Sequence, residues 1–141
     1  MFMDEEYDQR GGATFAQVSA AKNEKIVAAI ESDRGGFVPL GFSMDASDAV
    51  VSRVQSWSNL WKYYGLTFFQ HGYGGVDINP LKTQNVPLFG FVPDSQRYFD
   101  YQHAESDVFE AVNKRELQLG AAAIASLVYL IDTKGLNWFN R

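Results

Sequence analysis

Lys25-Ile26-Val27-Ala28-Ala29-Ile30-Glu31-Ser32-Asp33-Arg34-Gly35-Gly36 is an apolar run that stops on acids and then on a pair of glycines. A short continuous apolar segment closed by a turn signal is the pattern of a strand buried on both faces. A sheet buried on both faces needs helices on both sides, so this stretch points to a layered α/β domain. Asp33 then has two readings. It caps the turn, or it stands at the carboxyl end of a strand, where such sheets keep their functional loops.

The flanking sequence extends the same alternation. Upstream, Phe15, Val18 and Ala21/Lys22 recur at helical spacing, predicting a helix over 13–22. Ahead of it Met1-Phe2-Met3 reads as the end of a buried strand, followed by Glu5-Glu6 and Gly11-Gly12. Downstream, residues 37–44 predict a second extended stretch, which Pro39 marks as an edge or irregular strand. Residues 46–64 predict an amphipathic helix with Val50, Val54, Trp57, Trp61 and Tyr64 on one stripe, Asp45 or Ser47 as its cap and Gly65 as its stop. Strands follow at 66–70 and 86–92, separated by a glycine-rich loop over 71–75, and a long polar and aromatic loop covers 93–112. The last helix starts at Asn113 with Glu116 three residues on, a capping-box spacing, and offers Leu117, Ala121, Ile124, Val128 and Ile131 as its buried stripe.

Composition narrows the function classes. The 141 residues suit one domain or part of a larger one, and a hydrophobic fraction of 46% with 15% aromatics suffices for a packed core. A net charge of −5 and the lack of a Lys/Arg cluster argue against nucleic acid as partner. With no cysteine, any metal must be held by His, Asp or Glu. The acidic N-terminus lacks a signal-peptide pattern, and the longest apolar run, 121–131, is shorter than a bilayer span, so the sequence reads as soluble with no membrane partner.

Three points along the chain carry chemistry. Glu5-Glu6 is an adjacent carboxylate pair from which one acid can face a metal and its neighbour a water, although acids are mostly solvated surface. His103, one of only two histidines, sits in a loop where exposed or structural roles are commoner than ligation. Asp33 is the third.

Taken with their flanks, these points form a recognisable set. Residues 1–12 (MFMDEEYDQRGG), 29–36 (AIESDRGG), 74–87 (GGVDINPLKTQNVP) and 94–107 (DSQRYFDYQHAESD) resemble the family-28 di-zinc metallopeptidases, most closely their carboxypeptidase Q-like branch. The resemblance runs on into Asn113-Lys114-Arg115-Glu116-Leu117 and covers the C-terminal part of that family's catalytic domain, with 1–141 as a partial domain. It implies a three-layer α/β/α fold with a mixed, mostly parallel sheet and a zinc-dependent exopeptidase of carboxypeptidase, aminopeptidase or dipeptidase type acting on peptides or dipeptides. Carried across by position, Glu5 is the general base, Glu6 and His103 are ligands of one zinc and Asp33 is a ligand of the other. Tyr73 is a candidate for steadying the tetrahedral intermediate, and equally fits an aromatic packed under the glycine loop. Ala104 and Val108 replace the family's usual threonines around the histidine, while Asp107 is retained.

The family's first metal-binding histidine and its bridging aspartate lie upstream of the Glu-Glu motif, so the resemblance predicts an incomplete ligand set here. The alternative expectation is therefore a truncated, non-catalytic α/β protein, inactive or dependent on a complementary fragment. His71 is the one spare histidine, and nothing in the sequence places it at the site.

Overall fold

A computed structural model describes residues 4–136. The expected strand end at Met1-Phe2-Met3 lies outside the described residues. The described residues form a four-stranded sheet in the order β1-β4-β2-β3, with β1 at Ala29–Glu31, β2 at Pro39–Asp45, β3 at Phe68–His71 and β4 at Leu88–Pro93. β1 runs parallel to β4 and β2 parallel to β3, while β2 and β4 are antiparallel, so the sheet is mixed with parallel pairings in the majority.

Adjacent residues of β4 supply two different cores, because side chains alternate across a strand. Leu88 faces a small cluster with Ala16, Ile78, Leu81 and Val86, covered by α1 (Arg10–Ala21) and the 3₁₀ segment Asn79–Gln84. Phe89 and Phe91 face the larger cluster with Phe42, Met44, Phe69, Val54, Trp57, Trp61 and Leu127, covered by α2 (Asp48–Gln55) and, beyond the short α3 (Tyr98–Tyr101), by α4 (Lys114–Lys134). The helix-sheet-helix layering is the expected one.

Several local expectations are corrected. The first apolar run pairs only over Ala29–Glu31, shorter than its hydrophobic extent. β2 is central rather than an edge strand. Pro39 is tolerated because it is the strand's first residue, and the register slips between Pro39 and Gly41, the irregularity a proline imposes. The predicted helix over 46–64 ends at Gln55, and two 3₁₀ turns at Ser58–Leu60 and Lys62–Tyr64 follow it. This break still turns Trp57 and Trp61 into the core, with Trp61 stacked on Phe69 at 5.0 Å, but it leaves Tyr64 72% exposed.

Ser47, not Asp45, caps α2, and Asn113 caps α4 by accepting from the N–H groups of Arg115 and Glu116. The reciprocal half of the capping box is absent because the Glu116 carboxylate accepts from Arg97 at 2.7 Å instead. The buried stripe of α4 is Gly120, Ala123, Leu127, Leu130 and Ile131, so of the expected stripe Ile131 is buried and Ile124 packs against the core, while Leu117 and Val128 are each half exposed. At 21 residues it extends beyond the apolar run legible in the sequence. Its length and mean hydropathy of 1.2 are enough to cross a membrane, while 28% of that stretch is buried here.

Candidate active site

β1 and β4 point their carboxyl ends the same way, and the chain that leaves each of them meets in one cavity. From β1 come Asp33, Gly35, Gly36 and Phe37; from the segment after β4 come Tyr98, Tyr101, Gln102, His103, Asp107, Ala111 and Val112. Glu6 closes the ring, and the cavity holds about 330 Å³. The Glu6 carboxylate and the His103 ring meet there, Oε1 to Nε2 at 3.5 Å. His103 adopts a left-handed backbone (φ 55°), a conformation rare outside glycine and asparagine, at the point where the loop turns it toward Glu6. Phe37 and Tyr101, with ring centroids 6.1 Å apart, wall the other side. Three of the five sequence-derived site residues (Glu6, Asp33 and His103) thus share one cavity.

Glu5 and Tyr73 stand beside it rather than in it. Asp33 also lines a second, smaller cavity of about 100 Å³ with Glu31, Ser43, Tyr73, Gly74 and Gly75, so the two spaces have a wall in common. Partial burial, then the carboxylates of Glu6, Asp33, Asp77 and Glu31, push the Glu5 carboxyl above its usual 4.5. Burial first, then the negative charge of Glu31, Glu5 and Asp45, holds the Tyr73 phenol above its usual 10.0, which keeps its O–H a donor. Asp77 is likewise raised, by burial and by Asp33. His71 stands apart: its Nε2 lies 2.9 Å from Asp48 Oδ1, and it lines neither cavity.

One residue of this region went unassigned in the sequence. Glu31, the last residue of β1, turns its carboxylate under the loop after β3 and accepts hydrogen bonds from Val76 N–H at 2.8 Å and Ile78 N–H at 3.1 Å. Its carboxyl is nevertheless raised, because burial outweighs those backbone bonds. Backbone donors carry no side-chain signature, so the only hint in the sequence was an acid placed two residues before Asp33.

The donor set suits zinc in kind, with imidazole nitrogen and carboxylate oxygen, but not in number. A catalytic zinc takes three protein ligands, and among the described residues no three His, Asp or Glu side chains group closely enough to hold a metal ion. Glu6 and His103 meet as a pair, and Asp33 faces them from the cavity wall. The described residues therefore do not complete a zinc site.

No family model matches the chain. The structure is similar to the crystal structure of a peptidase M28 precursor from Shewanella amazonensis SB2B, with a TM-score of 0.84 and 25% identity over 100% of this chain and 31% of that one. In sequence it is similar to carboxypeptidase Q of Bos taurus (24% identical over 127 residues) and of Mus musculus (26% over 128 residues), each match covering 90% of this chain and 27% of the relative. Fold and sequence agree on the class that the chain resembles, an α/β domain similar to that of an M28 peptidase. In sequence the similarity is to carboxypeptidase Q. The chain spans about a quarter of the length of the curated relatives it matches.

Proposed function

We propose that this chain carries the glutamate, aspartate and histidine contribution to a zinc-dependent exopeptidase site, with a peptide or dipeptide as substrate. The observation that carries the reading is the contact of Glu6 with His103 in a cavity that Asp33 also lines. Glu6 and His103 are donors for one zinc and Asp33 for a second. Glu5, whose carboxyl is raised by desolvation and by the carboxylates of Glu6 and Asp33, is the general base beside them. The apolar and aromatic wall of Phe37, Tyr98, Tyr101, Ala111 and Val112 suits an apolar side chain of the peptide. The relatives' names, carboxypeptidase Q and peptidase M28, support hydrolysis of peptide bonds.

The donor count favours a second element of this reading: the isolated chain binds zinc weakly and does not hydrolyse peptides until further donors are supplied. Zinc titration of the purified chain tests both parts. Binding should weaken by about tenfold or more in His103→Ala and in Glu6→Gln, since losing one of two close donors removes roughly a charge-assisted contact of 1.5–3 kcal/mol. Equal zinc affinity in all three proteins would remove Glu6 and His103 from the site. Two tightly bound zincs and dipeptide hydrolysis lost on Glu5→Gln would show instead that the chain is competent alone.

A further inference from the structure

The loop over residues 72–78 lies directly on the sheet, backbone on backbone. Ser43, in the middle of β2, donates its hydroxyl to the Tyr73 carbonyl at 2.6 Å, and that hydroxyl oxygen also stands 3.3 Å from the Gly90 carbonyl. A Cβ at Gly90 would lie 2.8 Å from Gly74 O and 2.9 Å from Tyr73 O, so β4 is glycine where the loop crosses it. Farther along the loop, Glu31 takes over with its two backbone N–H bonds. Gly75 (φ +148°) lies so close that a Cβ there would come within 2.5 Å of all three atoms of the Glu31 carboxylate group. The loop is thus gripped from below at two points, with Tyr73 at one of them and its side chain half exposed.

We propose that Ser43 and Glu31 are positioning residues that clamp the 72–78 loop and so fix Tyr73 beside the Glu6–His103 cavity. The inference rests on the reading of that cavity as a peptidase site, for which a fixed phenol donor is useful: a hydrogen-bond donor stabilises developing charge only when it is held in place beforehand. Neither clamp residue touches the Glu6–His103 pair. Each acts through the loop.

The test is nuclear magnetic resonance on the isolated chain, wild type beside Glu31→Gln and Ser43→Ala. In Glu31→Gln the side-chain amide offers one acceptor oxygen where the carboxylate offered two, so at least one of the Val76 and Ile78 amides should exchange with solvent about tenfold faster or more, the effect of losing one hydrogen bond to a charged acceptor. In both variants the Tyr73 ring resonances should move toward those of a free tyrosine, while the Tyr98 and Tyr101 rings and the β2–β4 ladder amides stay as they are. An unmoved Tyr73 ring in both variants overturns the proposal. So does a Tyr73 change that comes only with general loosening of the ladder, which would make both residues merely structural. If Glu31→Gln fails to fold, Ser43→Ala decides alone by the Tyr73 ring criterion. These measurements need neither zinc nor turnover, so a failed clamp is distinguishable from a failed peptidase assignment, which the zinc titration addresses.

Discussion

Asp77 has one carboxylate oxygen, Oδ1, that is buried without a hydrogen-bond partner among the described residues. Burial and the nearby Asp33 raise its folded-state pKa above the usual 3.8. A carboxyl raised in the folded state holds its proton more readily there than in the unfolded chain, so its ionisation weakens the fold. That penalty is present above the raised value, recedes as pH falls through it, and is gone below 3.8, where both states are protonated. Glu5 and Glu31 shift in the same direction. Asp77→Asn should therefore raise the melting temperature at neutral pH and flatten its rise on mild acidification, with the two proteins converging near about pH 3.5; a Tm series over pH measures this. Equal melting temperatures of the two proteins at neutral pH would refute it. At this scale Glu6, Asp33 and His103 were legible only through the motifs around them. Composition and spacing alone left each with a solvated or turn-capping alternative. Glu31 escaped notice because its partners are main-chain amides, which any residue provides.

α4 shows how far periodicity reaches. Its apolar residues run almost without interruption from Ala121 to Leu130, so several stripes satisfy a 3.6-residue period and the sequence does not choose among them. Tertiary contacts choose: Trp61 donates its indole N–H to Ser126 Oγ at 2.6 Å, and the Phe91 ring lies 3.1 Å from where a Cβ on Gly120 would sit. Leu127 faces inward with no exposed surface and Val128 outward. Leu127→Ala should cost about 2–5 kcal/mol of unfolding free energy, and Val128→Ala within about 0.5 kcal/mol of nothing. Denaturant melts of the two variants check the pair, and the reverse order would restore the stripe read from sequence. The break in the 46–64 helix has a similar origin, since no proline or glycine marks it. Ser56 bonds its hydroxyl back to Arg53 O, and Trp57 and Trp61, which flank the first tighter turn, are both buried.

The whole domain divides unequally about its sheet. Among the described residues, sixteen buried side chains form the cluster on the α2 and α4 side, against five on the α1 side. α1 buries only Gly12, Ala16 and Ser19, and no side chain caps its start. Regions with few buried contacts open at lower free energy than the core. Amide exchange in α1 should accordingly be much faster than in β2, β4 and the inner face of α4, and hydrogen–deuterium exchange resolved by residue measures the difference. Equal protection would mean that the two cores unfold as one unit. The alternation of strands and helices was legible in the sequence because each apolar run ends at a turn signal. Sheet order was not, since the antiparallel pairing of β2 with β4 joins segments more than forty residues apart.

The way the loop after β3 is seated has a consequence for the residue it presents. Ser43 and Glu31 hold that loop by its main chain over the open space left by Gly90, and position 73 contributes only its carbonyl to the grip. The scaffold therefore fixes where a side chain stands without dictating which one it is. Chemistry at position 73 can be exchanged by a single codon change while the fold beneath it is left alone, and that separation makes the site open to revision.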